Sequence, residues 1–244
     1  MRIAYLDCSS GISGTMALAA LLDAGADLDV VRTGLSSLPV GPFSLEVVEE
    51  RAGDLRALRV VAEAKGPEPR RTLGDLEAML RAAALPHRAR ALAERVYRRL
   101  AGAEARVHGT APDRVTFHEV GSVRSIAGVV GTAVALDELG VAQVWSSPVA
   151  TGWGAARTEH GLLPVPAPAT AELLRGIPAQ PGSMDGELAT PTGAALVAEL
   201  AEAFVSSPPA MDVEAVGLGA GPLGGTFANV LRVLIGNEAR SATA

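Results

Sequence analysis

The first residues with types suited to chemistry form the segment Asp7-Cys8-Ser9-Ser10-Gly11-Ile12-Ser13-Gly14. It follows a short apolar run at residues 3–6 that is typical of a buried strand, and it precedes a helical pattern. Asp7 is therefore predicted at the carboxyl end of a strand, where ligand sites gather in open sheets. Cys8, beside a helix N-terminus, is predicted to have a lowered pKa. The alternative is an ordinary turn that contains a buried, inert cysteine.

Two stretches are suited to binding an anion, because loop N–H groups and helix N-termini favour phosphate. The candidate ligands of the first stretch are Ser10, Gly11, Ser13 and Gly14. No Gly-Lys-Ser/Thr follows, so it is not a P-loop. The second stretch is Glu187-Leu188-Ala189-Thr190-Pro191-Thr192-Gly193, where the hydroxyls of Thr190 and Thr192 flank a predicted helix start. Simple N-capping by Thr190 is the alternative.

His118-Glu119 forms the next constellation, at a predicted strand-to-helix junction. An imidazole and a carboxylate can ligate a metal or act as acid and base. Adjacent strand residues point to opposite faces, so both serve one site only if the chain turns there, and Gly121 makes a turn plausible. Capping of the helix by His118, with Glu119 complementing the helix dipole, is the alternative.

The last constellation is Thr158-Glu159-His160-Gly161, followed by prolines at 164, 166 and 168. Proline restricts the backbone, so this stretch is predicted to hold His160 towards a pocket, with a surface loop as the alternative. The whole of residues 149–168 is predicted to be irregular. His87 and His108 are expected to be structural or solvent-facing.

The elements that position these residues predict an α+β fold, a mixed sheet with packed helices and two interleaved subdomains. The β pairs are expected to be local. One domain is predicted over residues 1–236, with a sub-boundary near 65–71 and a tail at 237–244. A helix is predicted from Thr190 through Phe204, and two terminal strands around the glycine-rich residues 217–221.

Composition excludes several classes of function. The chain has 244 residues, a net charge of −6 and 3% aromatic residues, which argues against nucleic acid or an anionic membrane as partner. No signal peptide or membrane span is expected, and a cytoplasmic location is predicted. The single cysteine, Cys8, excludes an internal disulfide and fits a reducing compartment. A homo-oligomer is left open.

Six blocks occur in order along the chain: Asp7-Cys8 with Ser10-Gly11-Ile12-Ser13-Gly14; Phe117-His118-Glu119-Val120-Gly121; Ser146-Ser147-Pro148; His160-Gly161 with the proline ladder; Thr190-Pro191-Thr192-Gly193-Ala194-Ala195; and Asn229-Val230-Leu231-Arg232-Val233. Together they resemble the N-terminal region of the LarC-type nickel-insertion proteins of nickel-pincer cofactor biosynthesis. The resemblance runs nearly end to end, from Ile3 through Leu234.

This resemblance implies an enzyme of the cyclometallase or lyase type. The family inserts nickel into a bis-thiocarboxylated pyridinium mononucleotide with CTP and a divalent metal, forming nickel–carbon and nickel–sulfur bonds. The implied catalytic residues are Asp7, Cys8, His118 and Glu119, with His118 and Glu119 as metal ligands. The implied binders of a phosphorylated or anionic metabolite are Ser10, Gly11, Ser13, Gly14, Arg124, His160, Thr190 and Thr192.

The chain departs from the family pattern where the family has acids or a histidine, at Thr15, Thr116, Arg124 and Gly128. A further departure is Gly66-Pro67-Glu68-Pro69-Arg70, which stands where the family usually has a histidine-rich stretch. Because Arg124 repels a cation, one alternative is a metal-free descendant with lyase- or cyclase-type acid/base chemistry by His118 and Glu119. The family's C-terminal nucleotide-handling domain is expected on a separate subunit, so a second alternative is a non-catalytic partner subunit, with CTP bound by the other chain.

Overall fold

The structure is a computed structural model that describes residues 1–158, 160–223 and 227–239. Helices and a mixed sheet pack into an α+β fold, as the sequence predicts. In the described residues the helices are α1 (Gly14–Asp23), α2 (Leu28–Ser36), α3 (Leu73–Ala82), α4 (His87–His108), α5 (Val123–Glu138), α6 (Pro168–Leu173) and α7 (Pro191–Leu200), with a short 3₁₀ helix at Pro112–Arg114.

The strands divide into one large sheet and four small ladders. The strands are β1 (Arg2–Asp7), β2 (Phe43–Ala52), β3 (Leu55–Ala64), β4 (Arg71–Thr72), β5 (Thr116–Phe117), β6 (Gln143–Ser146), β7 (Val149–Ala150), β8 (Gly152–Trp153), β9 (Ala155–Thr158), β10 (Gly161–Pro164), β11 (Ala179–Gln180), β12 (Gly186–Glu187), β13 (Ala201–Phe204), β14 (Met211–Ala220) and β15 (Val230–Glu238). The large sheet has the order β13-β6-β1-β15-β14-β3-β2.

Pairing in the large sheet is less local than expected. The hairpins β2–β3 and β14–β15 join neighbours in sequence, but β1 pairs in parallel with β6 and antiparallel with β15. The expectation of local pairs was wrong because β1 is a central strand, buried along most of its length, and both its edges must be hydrogen-bonded. This central position brings the end of β1, and the loop after it, into the middle of the molecule.

Helix α1 packs directly on the large sheet, and the strand positions closest to it are glycines. It packs on β14, β3 and β15, and α5 packs on α1. A Cβ at Gly217 would lie 1.9 Å from the carbonyl oxygen of Ala20, and one at Gly219 would lie 2.0 Å from that of Met16. Residues 217–220 therefore belong to β14 rather than to a loop, because glycine allows the strand to approach the helix backbone.

Two further expectations were wrong. Residues 149–168 are not irregular: they contain β7, β8 and the β9–β10 hairpin, with the turns at Gly152, Gly154 and Gly161 in the left-handed region of φ. The helix predicted through Phe204 ends at Leu200, and the chain continues as β13, which pairs with β6. The short run Ala201-Glu202-Ala203-Phe204 does not distinguish helix from strand by pattern alone, since so few residues fit either period.

The segment near residues 65–71 lies between parts of one sheet. Strand β3 precedes it, and β14 and β15 of the same sheet come long after it. A subdomain boundary there stays a prediction. Strand β15 reaches Glu238, and residues 240–244 of the predicted tail lie outside the described residues. Within the part of the chain that the structure describes, no helix has the length and apolarity needed to cross a bilayer.

Candidate functional site

The loop after β1 and the segment before α7 meet in the structure. Ile12 forms a parallel bridge with Ala189. The Ile12 N–H donates to the Leu188 carbonyl at 2.9 Å, and the Thr190 N–H donates to the Ile12 carbonyl at 3.0 Å. Two distant helix N-termini, those of α1 and α7, are thereby brought side by side. First-turn N–H groups have no partner inside their own helix, so the pair forms a surface suited to an anion.

Four hydroxyls line this junction: Ser13, Thr15, Thr190 and Thr192, here called the hydroxyl junction. Ser13 Oγ lies 3.3 Å from Thr15 Oγ1, and Thr190 Oγ1 lies 3.1 Å from Thr192 Oγ1. Ser13 and Thr190 are also N-caps, accepting from the N–H groups of Met16 and Gly193. Capping and a role in ligand binding are thus compatible, because a hydroxyl has two lone pairs and one proton.

Glycine makes this close approach possible. A Cβ at Gly193 would lie 2.1 Å from the Ile12 carbonyl oxygen, and one at Gly11 would lie 2.2 Å from that of Leu188. Gly11 also has a φ of +97°, which L side chains rarely adopt. At the predicted phosphate ligands Gly11 and Gly14, only backbone groups are available to a ligand.

Helix α5 supplies the third wall, and it carries Arg124. Gly128 lies against Gly14, since a Cβ on Gly128 would be 2.7 Å from the Gly14 carbonyl carbon. Arg124 is one turn earlier on the same face of α5 and is exposed. In the described residues it makes no ion pair. The carboxylate of Glu68 accepts from the Val123 N–H at 2.6 Å, so residues 66–70 lie against the start of α5.

Cys8 is not the activated thiol that the sequence predicts. It is fully buried, its N–H donates to Ser147 Oγ at 2.8 Å, and its Sγ lies 3.5 Å from Ser146 Oγ. Burial raises the pKa of the Cys8 thiol to about 12. The predicted lowering was wrong because desolvation disfavours the thiolate more than the nearby polar groups favour it. The inert-cysteine alternative describes this position.

Asp7 ends β1 as predicted, but its carboxylate is occupied. Arg232 of β15 donates to Asp7 Oδ2 at 2.6 Å, across the antiparallel pair that joins the two residues. The Ser9 N–H donates to the other oxygen at 3.2 Å. These contacts give Asp7 a positioning role at the start of the loop.

Ser10 borders a separate cavity on the outer side of the loop. The Ser10 carbonyl accepts from Asn229 Nδ2 at 2.9 Å, which fixes the loop to the start of β15. The cavity has a volume of about 240 Å³ and is lined by Ser9, Ser10, Leu55, Ser183, Met184, Leu188, Phe227, Ala228 and Val230. Its apolar and hydroxyl lining could take the ring of a small ligand.

The turn at His118-Glu119 leads into a second acidic residue. Phe117 is buried, which anchors the exit of β5, and the Ser122 N–H donates to the Glu119 carbonyl in the turn before α5. Burial and the negative charge of Glu119 raise the pKa of Glu187 to about 7. Glu187 is three residues before Thr190, a span of about 10 Å at most, so this acidic pair adjoins the hydroxyl junction. Glu187 lies in the predicted anion-binding stretch 187–193, but sequence pattern alone indicates no role for it.

His118 lies next to two other histidines. Its ring centroid is 5.2 Å from that of His160, and the His160 centroid is 5.1 Å from that of His108. We call His108, His118 and His160 the imidazole cluster. His108 was expected to be structural or solvent-facing. His108 is the last residue of α4, and Gly109 after it has the left-handed conformation that ends the helix. The sequence His-Gly at the end of a helical pattern is therefore the signal that places His108 at a helix end. Glu159 lies outside the described residues.

The structure thus brings the predicted residues together in two groups. Ser13, Gly14, Thr190 and Thr192 meet at the hydroxyl junction, and His118 meets His160 at the imidazole cluster. Among the described residues, no three His, Cys, Asp or Glu side chains stand close enough to hold a metal ion as they are placed.

Comparison with known proteins relates this chain to longer ones. A protein of Geotalea uraniireducens is 46% identical over 241 residues, which cover 98% of this chain and 62% of that protein. Two relatives carry the name pyridinium-3,5-bisthiocarboxylic acid mononucleotide nickel insertion protein. The one from Nocardioides is 46% identical over 97% of this chain, and the one from Desulfitobacterium hafniense is 41% identical over 98%.

The chain spans about 60% of the length of these relatives. No solved structure matches it. The family model described as "Nickel insertion protein" matches residues 4–244. With this match and relatives of more than 40% identity along almost its entire length, the chain belongs to the nickel insertion protein family.

Proposed function

We propose that this chain, working with the remaining part found in its longer relatives or with a separate subunit, inserts nickel into a pyridinium-3,5-bisthiocarboxylic acid mononucleotide. The names of two relatives support this substrate. The single observation that carries the proposal is the meeting of two helix N-termini at the hydroxyl junction, beside the turn that holds His118 and Glu119. One site is suited to the phosphate and the adjoining one to the metal.

The hydroxyl junction is proposed to bind the substrate's phosphate. The free N–H groups of α1 and α7, the hydroxyls of Thr190 and Thr192 and the positive side chain of Arg124 all favour an anion. The substrate carries two thiocarboxylates besides the phosphate, so it is strongly anionic even with its pyridinium charge. Arg124, exposed and without an ion pair among the described residues, is proposed to offset part of that charge.

Nickel is cargo in this reaction, and the chemistry follows from the substrate's substitution pattern. Thiocarboxylates at positions 3 and 5 flank C4, so a metal held by both sulfurs lies next to that carbon. Forming the nickel–carbon bond replaces a C–H bond, and Ni²⁺ keeps its oxidation state if the proton leaves to a base. Glu119, exposed beside His118, is proposed to accept that proton. CTP and its divalent metal are assigned to the other part of the protein or to the separate subunit.

The test supplies the untagged chain with the mononucleotide and Ni²⁺, with and without the remainder of the Nocardioides relative and CTP. Calorimetry measures substrate binding by the chain alone, and mass spectrometry detects the nickel-containing product in the complete mixture. Glu119→Gln should abolish product while substrate binding persists. Glu202→Gln, at an exposed position on β13, serves as the matched control. Absence of both binding and product with the unaltered chain would contradict the proposal.

Arg124 also favours a second candidate, a metal-free lyase or cyclase that acts on a small anionic metabolite. In that case His118 and Glu119 would serve only as acid and base, and Arg124 would bind the substrate. The two candidates differ in metal dependence. If the chain turns over an anionic metabolite at the same rate after chelation of divalent metals, the second candidate is favoured over nickel insertion.

A further inference from the structure

We infer that Arg71 is a positioning residue for the proposed reaction: its buried guanidinium fixes the turn that carries His118 and Glu119. This inference rests on the proposed function, in which Glu119 accepts the proton. Arg71 belongs to the short strand β4, and it pairs with Phe117 of β5, the residue directly before the turn. The sequence pattern does not indicate this role, because an arginine in a polar, proline-containing stretch is typically exposed.

The guanidinium of Arg71 is buried, which is unusual for an arginine. Only 6% of its side chain is exposed, and arginine is almost never fully buried unless it is paired. Its Nη1 lies 3.5 Å from the carboxylate of Glu68, whose side chain is 32% exposed. Such a pair is costly by itself, because the desolvation of buried ions can exceed their attraction. Hydrogen bonds to backbone carbonyls supply further compensation.

The guanidinium holds two loops at once. Nη1 of Arg71 donates to the Gly121 carbonyl at 2.5 Å, and Nη2 donates to the Val40 carbonyl at 3.3 Å. Gly121 and Val40 lie outside the helices and strands, so the side chain satisfies acceptors that secondary structure leaves free. The planar fork of arginine reaches two carbonyls in fixed directions, which the single ammonium of a lysine cannot reproduce.

Glu68 holds the far end of the same turn. Its Oε2 atom, which faces Arg71, also accepts from the Val123 N–H at 2.6 Å. Val123 is the first residue of α5, so this carboxylate fixes the start of the helix. The turn is therefore held at its beginning by the pairing of β4 with β5, at Gly121 by the guanidinium, and at its end by Glu68.

Close packing leaves this turn little freedom to move. A Cβ at Gly121 would lie 3.2 Å from the Phe117 Cβ and 3.4 Å from the Arg71 Cβ, so the turn folds back on both residues. The Cα atom of Glu119 is two residues from that of Gly121, a span of about 7 Å at most. Loss of the fork should therefore shift the Glu119 carboxylate, and a shift of about 1 Å can slow a reaction about a hundredfold.

The experiment measures Arg71→Lys in the complete mixture described for the proposed function. Lysine keeps the positive charge but lacks the fork, so the maximal rate of product formation should fall about tenfold or more. The half-saturating concentration of the mononucleotide should change by less than about twofold, because the hydroxyl junction is unaltered. Arg98→Lys, at an exposed arginine of α4 that pairs with Glu77, is the matched control and should change neither quantity.

A second measurement distinguishes positioning from a general loss of stability. Amide hydrogen exchange should become faster in Arg71→Lys for the peptide that contains residues 117–123, and it should be unchanged for the peptide that contains α7. Ile235→Ala removes apolar volume from the core at β15, so it should destabilise the whole chain without slowing the reaction of the folded protein. Circular dichroism verifies that each variant is folded, and Glu68→Gln, with the same expected effects, replaces Arg71→Lys if the latter is not.

The outcomes separate the inference from the proposed function. If the unaltered chain forms product and Arg71→Lys forms it at the same maximal rate, the inference is wrong and nickel insertion stands. If Ile235→Ala slows the reaction as much as Arg71→Lys does, Arg71 acts only through stability and the inference is again wrong. If the unaltered chain forms no product, the proposed function fails and the inference fails with it. A lower maximal rate in Arg71→Lys, with faster exchange confined to the turn, supports the inference.

Discussion

The hydroxyl junction and the imidazole cluster are built in opposite ways. At the hydroxyl junction, backbone groups approach so closely that Gly11 and Gly193 have no room for a side chain. At the imidazole cluster, the exposed side chains of His108 and His160 and the half-buried side chain of His118 meet without closing on one point. A phosphate site needs N–H groups in fixed positions, and the close-packed hydroxyl junction offers them. The two regions therefore differ in how firmly their chemical groups are held.

The largest expected effect contrasts chemical access in the two regions. Cys8 begins the loop of the hydroxyl junction, and its pKa of about 12 compares with an ordinary value of 9.0, so its thiolate fraction at pH 8 falls about a thousandfold. Iodoacetamide should therefore leave Cys8 unmodified in the folded chain and alkylate it rapidly in guanidinium chloride. Diethyl pyrocarbonate should modify His108 in the same folded sample. Mass spectrometry measures both, and rapid alkylation of folded protein would contradict the closed structure of this loop.

The second effect tests whether the hydroxyl junction is close-packed. Gly193→Ala places a Cβ against the Ile12 carbonyl oxygen and should lower the free energy of unfolding by about 3 kcal/mol, because backbone cannot yield as a flexible side chain does. Gly102→Ala in α4 has its nearest neighbour at 3.9 Å and should instead stabilise the chain by about 0.5–1 kcal/mol. Urea denaturation gives both values. Equal effects at the two glycines would show that the junction is loose.

The third effect concerns the acidic pair between the two regions. The pKa of Glu187 is about 7 in the folded chain and near 4.5 when unfolded, so the native state binds more protons between these values. Stability should fall as the pH rises from about 5 to about 8, by about 2 kcal/mol. Glu187→Gln should remove this fall, and Glu202→Gln should keep it. Denaturation across that pH range measures how the free energy of unfolding changes with pH. If Glu187 were solvated, this pH dependence would be the same in Glu187→Gln as in the unaltered chain.

The smallest effect tests the cap within the hydroxyl junction. Thr190→Val removes the hydroxyl that accepts from the Gly193 N–H and should cost about 1 kcal/mol. Thr33→Val removes an exposed hydroxyl that only donates to a carbonyl inside α2, and it should change stability less. Thermal unfolding compares the two. A smaller loss for Thr190→Val than for Thr33→Val would show that Thr190 does not cap α7.

The sequence predicted the elements with strong local patterns and missed those that depend on contacts. Thr72 with Asp75 three residues later predicts a helix start, and the structure has a complete capping box there, at the start of α3. Gly53-Asp54 between two β-branched stretches predicts the turn that joins β2 to β3. Strand β13 was not predicted, because only its pairing with β6 distinguishes it from a continuation of α7.

The candidate site divides in the same way. The meeting of Ser13 with Thr190 could be anticipated, because both stand at helix starts that follow short loops. The burial of Cys8 could not, because it depends on Ser146 and Ser147, about 140 residues away. The contact of His108 with His160 likewise requires the β9–β10 hairpin. Residues 149–168 do not alternate between apolar and polar types, so their sequence does not predict that hairpin.

The contact of Gly14 with Gly128 sets the distance between α1 and α5. Any side chain at position 128 would meet the backbone of residues 14 and 15, so it would push the two helices apart and lift the loop that carries Ser13 away from α7. A longer residue at position 128 therefore requires a wider seam between α1 and α5. In this chain the narrow seam holds the loop that carries Ser13 against the helix that carries Arg124.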